Sequence, residues 1–144
     1  MIHLQLVTLT GVKVDEDVAE VLLPTIDGQI GVLTDHMPLI SVATDGMISV
    51  RKNAKDPDSQ MENYASYGGV IEVSNNVIRV LVDEADNGNE INEAEAKKAY
   101  DLALKMKAEA KDEISLEQAQ RLLDRQEVRL KVAELHKRRR SKAN

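Results

Sequence analysis

Val21-Leu22-Leu23-Pro24-Thr25-Ile26-Asp27-Gly28-Gln29-Ile30-Gly31-Val32-Leu33-Thr34-Asp35-His36-Met37-Pro38-Leu39-Ile40 is the stretch on which the fold of this chain turns. Apolar β-formers are interrupted twice by turn residues. Asp27-Gly28 is a turn signal between two apolar runs. Pro38 pushes Met37 into an extended conformation, so Thr34 to Pro38 reads as a rigid turn and not as a helix. Asp27-Gly28 with Gly31 superficially suggests a phosphate-cradling loop. No Gly-Lys-Ser/Thr follows, and no helix signal opens after it, so the turn is the better reading.

The same grammar continues on both sides. Ile2-His3-Leu4-Gln5-Leu6, Ile48-Ser49-Val50-Arg51 and Val77-Ile78-Arg79-Val80-Leu81-Val82 alternate with period two, and Ile78, Val80 and Val82 can share one face. Asp45-Gly46, Gly68-Gly69 and Asn75-Asn76 supply further turns. Many short strands with frequent turns favour an antiparallel sandwich or barrel over a βαβ sheet. Gly68-Gly69 sits between strand signals, which points to a bulge or a close backbone approach. Residues 52–62, polar and broken by Pro57, read as a hairpin loop.

Asp83 to Glu90 is an acidic bridge containing Asn87-Gly88, and after it the period changes to 3.6. Asn92 with Glu95 makes a capping pattern for a helix running to about Ala110. Lys111 to Ile114 reads as a turn, and Ser115 with Gln118 as a second capping box. The second helix should reach about Arg139, and the short connection implies an antiparallel hairpin. Helix one offers Ala96, Ala99, Ala103 and Ala110, with Leu102, Leu104 and Met106 as its larger apolar groups. Helix two offers Leu116, Ala119, Leu123, Leu130 and Ala133 in a stripe that Gln126 interrupts. At about 25 cal/mol per Å², alanine stripes bury too little to hold a hairpin firmly by itself. The hairpin is expected to lean on the sandwich or on another protein with modest energy and to be detachable.

The expected division is therefore a β-sandwich over 1–84, a linker over 85–90 and a helical hairpin over 91–144. Charge divides in the same place. Residues 1–90 hold five basic and fifteen acidic side chains, net −10, whereas residues 91–144 hold fourteen basic and ten acidic ones, net +4. Two pieces facing different partners would account for this. Among its 144 residues the chain has no Phe, Trp or Cys. Its core must be aliphatic, and disulfides, thiolate metal sites and cysteine nucleophiles are excluded. No apolar run approaches the roughly 20 residues needed to cross a membrane, and the N-terminus lacks a signal pattern. The expectation is a soluble, non-exported protein.

Chemistry-bearing motifs are scarce. His3, His36 and His136 lie on a strand, in a turn and near a helix end, with no second ligand at metal-binding spacing. No nucleophile elbow or paired-carboxylate motif occurs, so no metal, cofactor or catalytic residue is expected. Arg121, Arg125 and Arg129 fall at i, i+4 and i+8 along one helix face. Glu117–Arg121, Glu127–Lys131 and Glu134–Arg138 are spaced as ion pairs of about 0.2–0.5 kcal/mol each. Lys137-Arg138-Arg139-Arg140-Ser141-Lys142 then places five cations in six positions. One or two would complement a helix C-terminus, so the run reads either as a solvated end or as a dock for an acidic surface. Nucleic acid is disfavoured, because stacking aromatics are missing and the chain is acidic overall.

With Ser66-Tyr67-Gly68-Gly69-Val70-Ile71-Glu72-Val73, the Val21–Ile40 stretch closely resembles the epsilon subunit of bacterial F-type ATP synthases. The resemblance implies a flattened sandwich of about ten strands followed by a two-helix hairpin. It implies a non-catalytic central-stalk rotor subunit that joins the gamma subunit to the c-ring, as a peripheral protein at the cytoplasmic face of the cell membrane. By the same resemblance, Gln29, Thr34, Asp35 and His36 would face the polar loops of the ring, although many relatives carry Glu where Gln29 stands. Met47 would contact gamma. The hairpin would fold against the sandwich or extend into the catalytic alpha/beta hexamer and obstruct ATP hydrolysis. Arg121, Arg125, Arg129, Arg138, Arg139 and Arg140 would then meet an acidic segment of the beta subunits. Some members hold ATP through Ile/Leu-Asp-x-x-Arg-Ala at the first helix. The corresponding positions here are Ile91-Asn92-Glu93-Ala94-Glu95-Ala96, in which Asn92 and Glu95 replace the Asp and the Arg. A carboxylate in place of a phosphate-side cation argues against ATP. The alternative to a rotor subunit is a small adaptor whose sandwich binds one protein and whose basic hairpin docks an acidic one.

Overall fold

The computed structural model describes residues 1–143, with side chains placed through Arg139. It forms two compact units, Met1–Asn87 and the residues from Gly88 onward. The first holds ten strands: β1 (Ile2–Thr8), β2 (Gly11–Val18), β3 (Glu20–Thr25), β4 (Gly28–Leu33), β5 (Leu39–Val42), β6 (Gly46–Arg51), β7 (Glu62–Tyr67), β8 (Val70–Ser74), β9 (Val77–Leu81) and β10 (Glu84–Asn87). The second holds α1 (Glu93–Glu109) and α2 (Glu113–Ala143).

The strands make two five-stranded sheets, ordered β2-β1-β9-β8-β5 and β10-β7-β6-β3-β4. Period-two patterning is what packs them face to face. Ile2, Leu4 and Leu6 of β1, Val21 and Leu23 of β3, Ile71 of β8, and Ile78 and Val80 of β9 are buried in one cluster, and because Tyr64 joins it the core is not purely aliphatic as expected. Val82 joins the same cluster, as its alternation with Ile78 and Val80 requires. The sheets are antiparallel with one exception: β1 and β9 run parallel, with Leu4 beside Ile78 and Leu6 beside Val80. Periodicity cannot reveal this, because the pairing joins strands separated by most of the domain.

The turns follow the local chemistry. Gly28 takes a φ of 113°, and Thr25 closes the turn by donating its hydroxyl to Gly28 O at 2.6 Å. Gly69 has a φ of 126°, and a Cβ there would collide with Leu81 O. The Gly68-Gly69 pair is thus a close backbone approach between the β7–β8 turn and the end of β9. At the opposite end of the sandwich, Asp35 and Asn76 hold left-handed φ values of 64° and 60°. They clasp each other: Asp35 N–H donates to Asn76 Oδ1 at 2.6 Å, and Asn76 Nδ2 donates to Asp35 Oδ1 at 3.1 Å.

Three local expectations differ from the structure. Residues 85–87, assigned above to a linker, belong to β10. This strand pairs with β7 and turns Ala85 into the core opposite Ser66, so one inward alanine suffices to recruit an otherwise polar segment. The second helix begins at Glu113, earlier than expected, because Asp112 and not Ser115 caps it. Asp112 Oδ1 accepts from Ser115 N–H at 2.7 Å, and this contact, with the Ser115 hydroxyl, holds the carboxyl below the usual carboxylate range. The ionised carboxylate makes a charge-assisted bond to this amide. The helix also runs past Arg139 to Ala143. Asn92 caps α1 as expected, accepting from Glu95 N–H at 3.1 Å.

Within the helical unit, Ala96 and Ala103 of α1 and Ala119, Leu123 and Ala133 of α2 are buried. Lys137 lies 3.8 Å from Glu93, which brings the far part of α2 beside the start of α1 and makes the hairpin antiparallel. Leu102, Leu104, Met106, Leu116 and Leu122 remain exposed. The seam combines alanines with Leu123 and Val132, and several larger apolar groups are left outside it.

Candidate docking surfaces

Cross-strand neighbours share a face, so register alone identifies what the outer side of the first sheet displays. Val42 pairs with Val70, Val70 with Leu81, Leu81 with Val7, and Val7 with Val12. One apolar row therefore crosses all five strands. Val12, Val42, Val70 and Leu81 are exposed, and Val7 is half-buried. A register shift between Leu6 and Val7 completes the row. Leu6 faces Val14, so an unshifted ladder would set Lys13 opposite Val7; the bulge substitutes Val12. Leu9, 83% exposed in the adjoining turn, extends the patch. Contiguous apolar surface of this kind marks an interaction site more strongly than scattered exposed leucines do.

The next row on that face is polar except for Ile40, which pairs with Glu72 and is exposed. Arg79 Nε donates to Gln5 Oε1 at 3.2 Å, and its Nη1 lies 3.8 Å from Glu72. His3 Nε2 is 2.6 Å from Asp15 Oδ1, and Nδ1 is 2.8 Å from Asp17 Oδ1. Two carboxylates can both be satisfied only if both ring nitrogens donate, which requires the imidazolium. Hydrogen bonding to Asp17 first, and to Asp15 next, raises the His3 pKa above its ordinary value. A raised histidine pKa stabilises the fold fully below the unfolded-state value, and the contribution is lost as pH rises through the folded-state value. Protection of the β2 amides, corrected for intrinsic exchange, is expected to fall as pH rises through that folded-state value. His3→Gln should flatten the profile, and a histidine titration by NMR at or below the ordinary value would contradict it.

The structure separates the four residues expected to face one partner surface. Gln29 is exposed at the start of β4, whereas Thr34, Asp35 and His36 follow its far end. At about 3.3 Å per residue, five residues of strand put some 16 Å between Gln29 and Thr34. They are strung along one sheet edge and are not gathered in one turn. Asp35 is engaged with Asn76, and His36 Nδ1 lies 2.6 Å from Met37 O. Ile26 and Asp27 are exposed beside Gln29. Met47 is half-buried on β6 opposite Ala65, away from the apolar row.

On the hairpin, Arg121 and Arg125 line a shallow cleft of about 370 Å³ with Met106, Gln118 and Leu122. Arg129 and Arg139 are half-buried. Arg138 pairs with Glu134 at 2.8 Å and Lys131 with Glu127 at 3.3 Å, so part of the basic face is internally paired. The Arg140 side chain lies outside the described residues. Ile91 is buried, and Asn92 is committed to its cap with Glu95 N–H. Among the described residues, no cluster of three or more His, Cys, Asp or Glu could hold a metal ion. No described helix is long and apolar enough to cross a membrane.

The apolar row is the feature that sequence reading missed. Its signal was present: on β1, β8 and β9 both alternating faces carry Val, Ile or Leu at one end. Only the register shows that these outward residues line up.

Comparison with known proteins agrees with this architecture. Residues 1–88 match the family described as ATP synthase, Delta/Epsilon chain, beta-sandwich domain. The ATP synthase epsilon chain of Chloroflexus aggregans is 34% identical over 136 residues, 94% of either chain. That of Gloeobacter violaceus is 34% identical over 132 residues, covering 92% of this chain and 96% of its own. A chain in the cryo-EM structure of the Euglena gracilis mitochondrial ATP synthase superposes with a TM-score of 0.78 at 24% identity. The match covers 92% of this chain and 80% of that one, and it supports the fold. A sandwich matched over its whole length and relatives aligned nearly end to end leave one assignment: this chain belongs to the epsilon-chain family of ATP synthases.

Proposed function

We propose that this chain is a non-catalytic central-stalk subunit of a proton-translocating F-type ATP synthase. It joins the gamma subunit to the c-ring and restrains ATP hydrolysis through its C-terminal helices. The observation that carries this reading is the near end-to-end alignment with epsilon chains, hairpin included.

The geometry divides the work. The apolar row of Val7, Val12, Val42, Val70 and Leu81 is the surface for gamma, because a rotor joint needs a desolvated core within a polar rim. Met47, half-buried on the other sheet, contributes less. The exposed turn from Ile26 to Gln29 meets the polar loops of the ring. Asp35 acts mainly as a latch to Asn76, holding the far end of β4 in shape, with Thr34 and His36 beside it. Gln29 offers a neutral amide, so ring contact here is hydrogen-bonded and not ionic. The hairpin, with its thin seam, moves at modest cost. Arg121, Arg125, Arg129, Arg138, Arg139 and Arg140 dock the acidic segment of the beta subunits. ATP is not its ligand: Asn92 is a cap, and Glu95 repels phosphate. The subunit is peripheral, at the cytoplasmic face of the membrane.

The test is ATP hydrolysis by a synthase depleted of this subunit and given back either the full chain or residues 1–88, with co-sedimentation in the same tubes. Both forms are expected to bind, and only the full chain to slow hydrolysis. If both bind and neither inhibits, the hairpin is not a brake. If neither binds, the adaptor reading replaces the rotor reading.

A further inference from the structure

The apolar row lies at one end of the first sheet: Val42 and Leu81 end β5 and β9, and Val70 opens β8. It is roughly 20 Å long across the strands and roughly 7 Å deep along them. That is on the order of 150 Å², against about 800 Å² that each side of a specific joint buries. On one side of the row the chain turns at Leu9-Thr10 and Gly68-Gly69. A joint seated on the row must therefore run on over the next one, Ile40, Glu72, Arg79, Gln5 and Asp15. Ile40 is exposed on the same strand as Val42, so apolar groups bound Glu72 and Arg79 on two sides.

Arg79 stands on β9, the middle strand of that sheet, at the centre of the surface to be covered. Its side chain is anchored at one atom, where Nε donates to Gln5 Oε1 at 3.2 Å. Nη1 stops 3.8 Å from Glu72, too far for a hydrogen bond. The four N–H groups on Nη1 and Nη2 thus have no hydrogen-bond acceptor among the described residues. Solvent serves them in the free subunit, where the side chain is 56% exposed. Covering the guanidinium without supplying acceptors would be costly. Beside it, Glu72, Ser74, Asn75, Val77 and Arg79 line a recess of about 160 Å³. Water takes about 30 Å³ per molecule in the liquid, so the recess has room for a side chain.

On the stalk reading proposed above, the partner that covers this face is gamma. We infer that Arg79 is the specificity-determining residue of the face, and that it takes a carboxylate side chain of gamma entering the recess. Gln5 fixes the guanidinium through Nε, which leaves the Nη pair to hold the carboxylate through two N–H···O bonds. An apolar row can slide along an apolar partner, whereas a bidentate pair cannot, so Arg79 sets the register at which gamma docks. The other possible anchor is Glu72, taking a cation. Interface centres are enriched in Arg and depleted in Glu, and Glu72 lies off the middle strand, on β8.

The experiment is the kinetics of gamma binding to the full chain, for the parent and for Arg79→Gln, Arg79→Lys and Glu72→Gln. Both side chains are about half exposed, so the fold should tolerate all three substitutions. Arg79→Gln should raise the dissociation rate by about 30-fold or more and change the association rate far less, as a covered charge pair does and a rim charge does not. Arg79→Lys keeps the charge but not the planar fork, and should recover only part of the loss. Glu72→Gln removes a carboxylate beside the incoming one, and should bind at least as tightly as the parent. Parent-like dissociation of Arg79→Gln, an effect confined to association, or full recovery by Arg79→Lys overturns the inference. Weakened binding by Glu72→Gln with Arg79→Gln unaffected also overturns it, because gamma then presents a cation. A parent chain that does not bind gamma fails the stalk reading itself, whereas parent binding that Arg79→Gln leaves unchanged fails this assignment alone.

Discussion

Gly69→Ala is expected to destabilise the sandwich by about 2–4 kcal/mol, well above the ordinary effect of a point substitution. Two costs act together. The position has a φ of 126°, which alanine adopts only under strain, and such residues cost of order 1–3 kcal/mol. The new methyl group would also drive into Leu81 O and the backbone at Val82. Backbone atoms cannot rotate away as a side-chain tip can. Relief requires β8 and β9 to separate, which breaks the pairing of Val70 with Leu81. Thermal and urea unfolding would measure the loss. Gly31→Ala is the matched control: its φ is unremarkable and its neighbours are side-chain ends, so it should change stability little. A Gly69→Ala protein as stable as the parent would mean that the β7–β8 turn gives way freely.

Leu81→Asp should leave the fold intact and weaken binding to gamma by about 100-fold or more. Leu81 is 54% exposed, and its neighbours on the outer face are Val70 and Val7. A carboxylate there remains hydrated in the free subunit, so stability should change by less than about 1 kcal/mol. In the complex it would be buried without a partner, and several kcal/mol of desolvation translates into at least two powers of ten in Kd. Titration calorimetry against gamma gives the number. Lys13→Asp, on the same strand as Val12 but outside the row, separates a local effect from a change in net charge. If Leu81→Asp binds gamma normally, the apolar row is not the joint, and Met47 on the second sheet becomes the next surface to test.

Much of this architecture was legible before any coordinates. The change from period two to period 3.6 near residue 90 separates sandwich from hairpin, because strand and helix demand different spacings of the same apolar residues. Asp27-Gly28, Gly68-Gly69 and the Asn92 cap were readable because one backbone conformation or one hydrogen bond, set by near neighbours, determines each. Misreadings occurred where a choice depended on what a segment met. β10 looked like a linker because only Ala85 commits it, and an alanine commits a strand only if Ser66 lies opposite. Asp112 and Ser115 are both competent caps, and geometry chose between them.

The candidate sites show the same boundary. Which residues are outward follows from alternation, so the sequence by itself determined that Val7, Val42, Val70 and Leu81 were available. That they form one surface was decided only by tertiary structure. Long-range pairing brings β1 beside β9 and β5 beside β8, and a one-residue bulge moves Val12 into line. Conversely, Gln29 and His36 lie seven positions apart in sequence, yet the strand between them carries them to opposite ends of the sandwich. Sequence proximity becomes spatial proximity across a turn or along a helix face. Along a strand it becomes length.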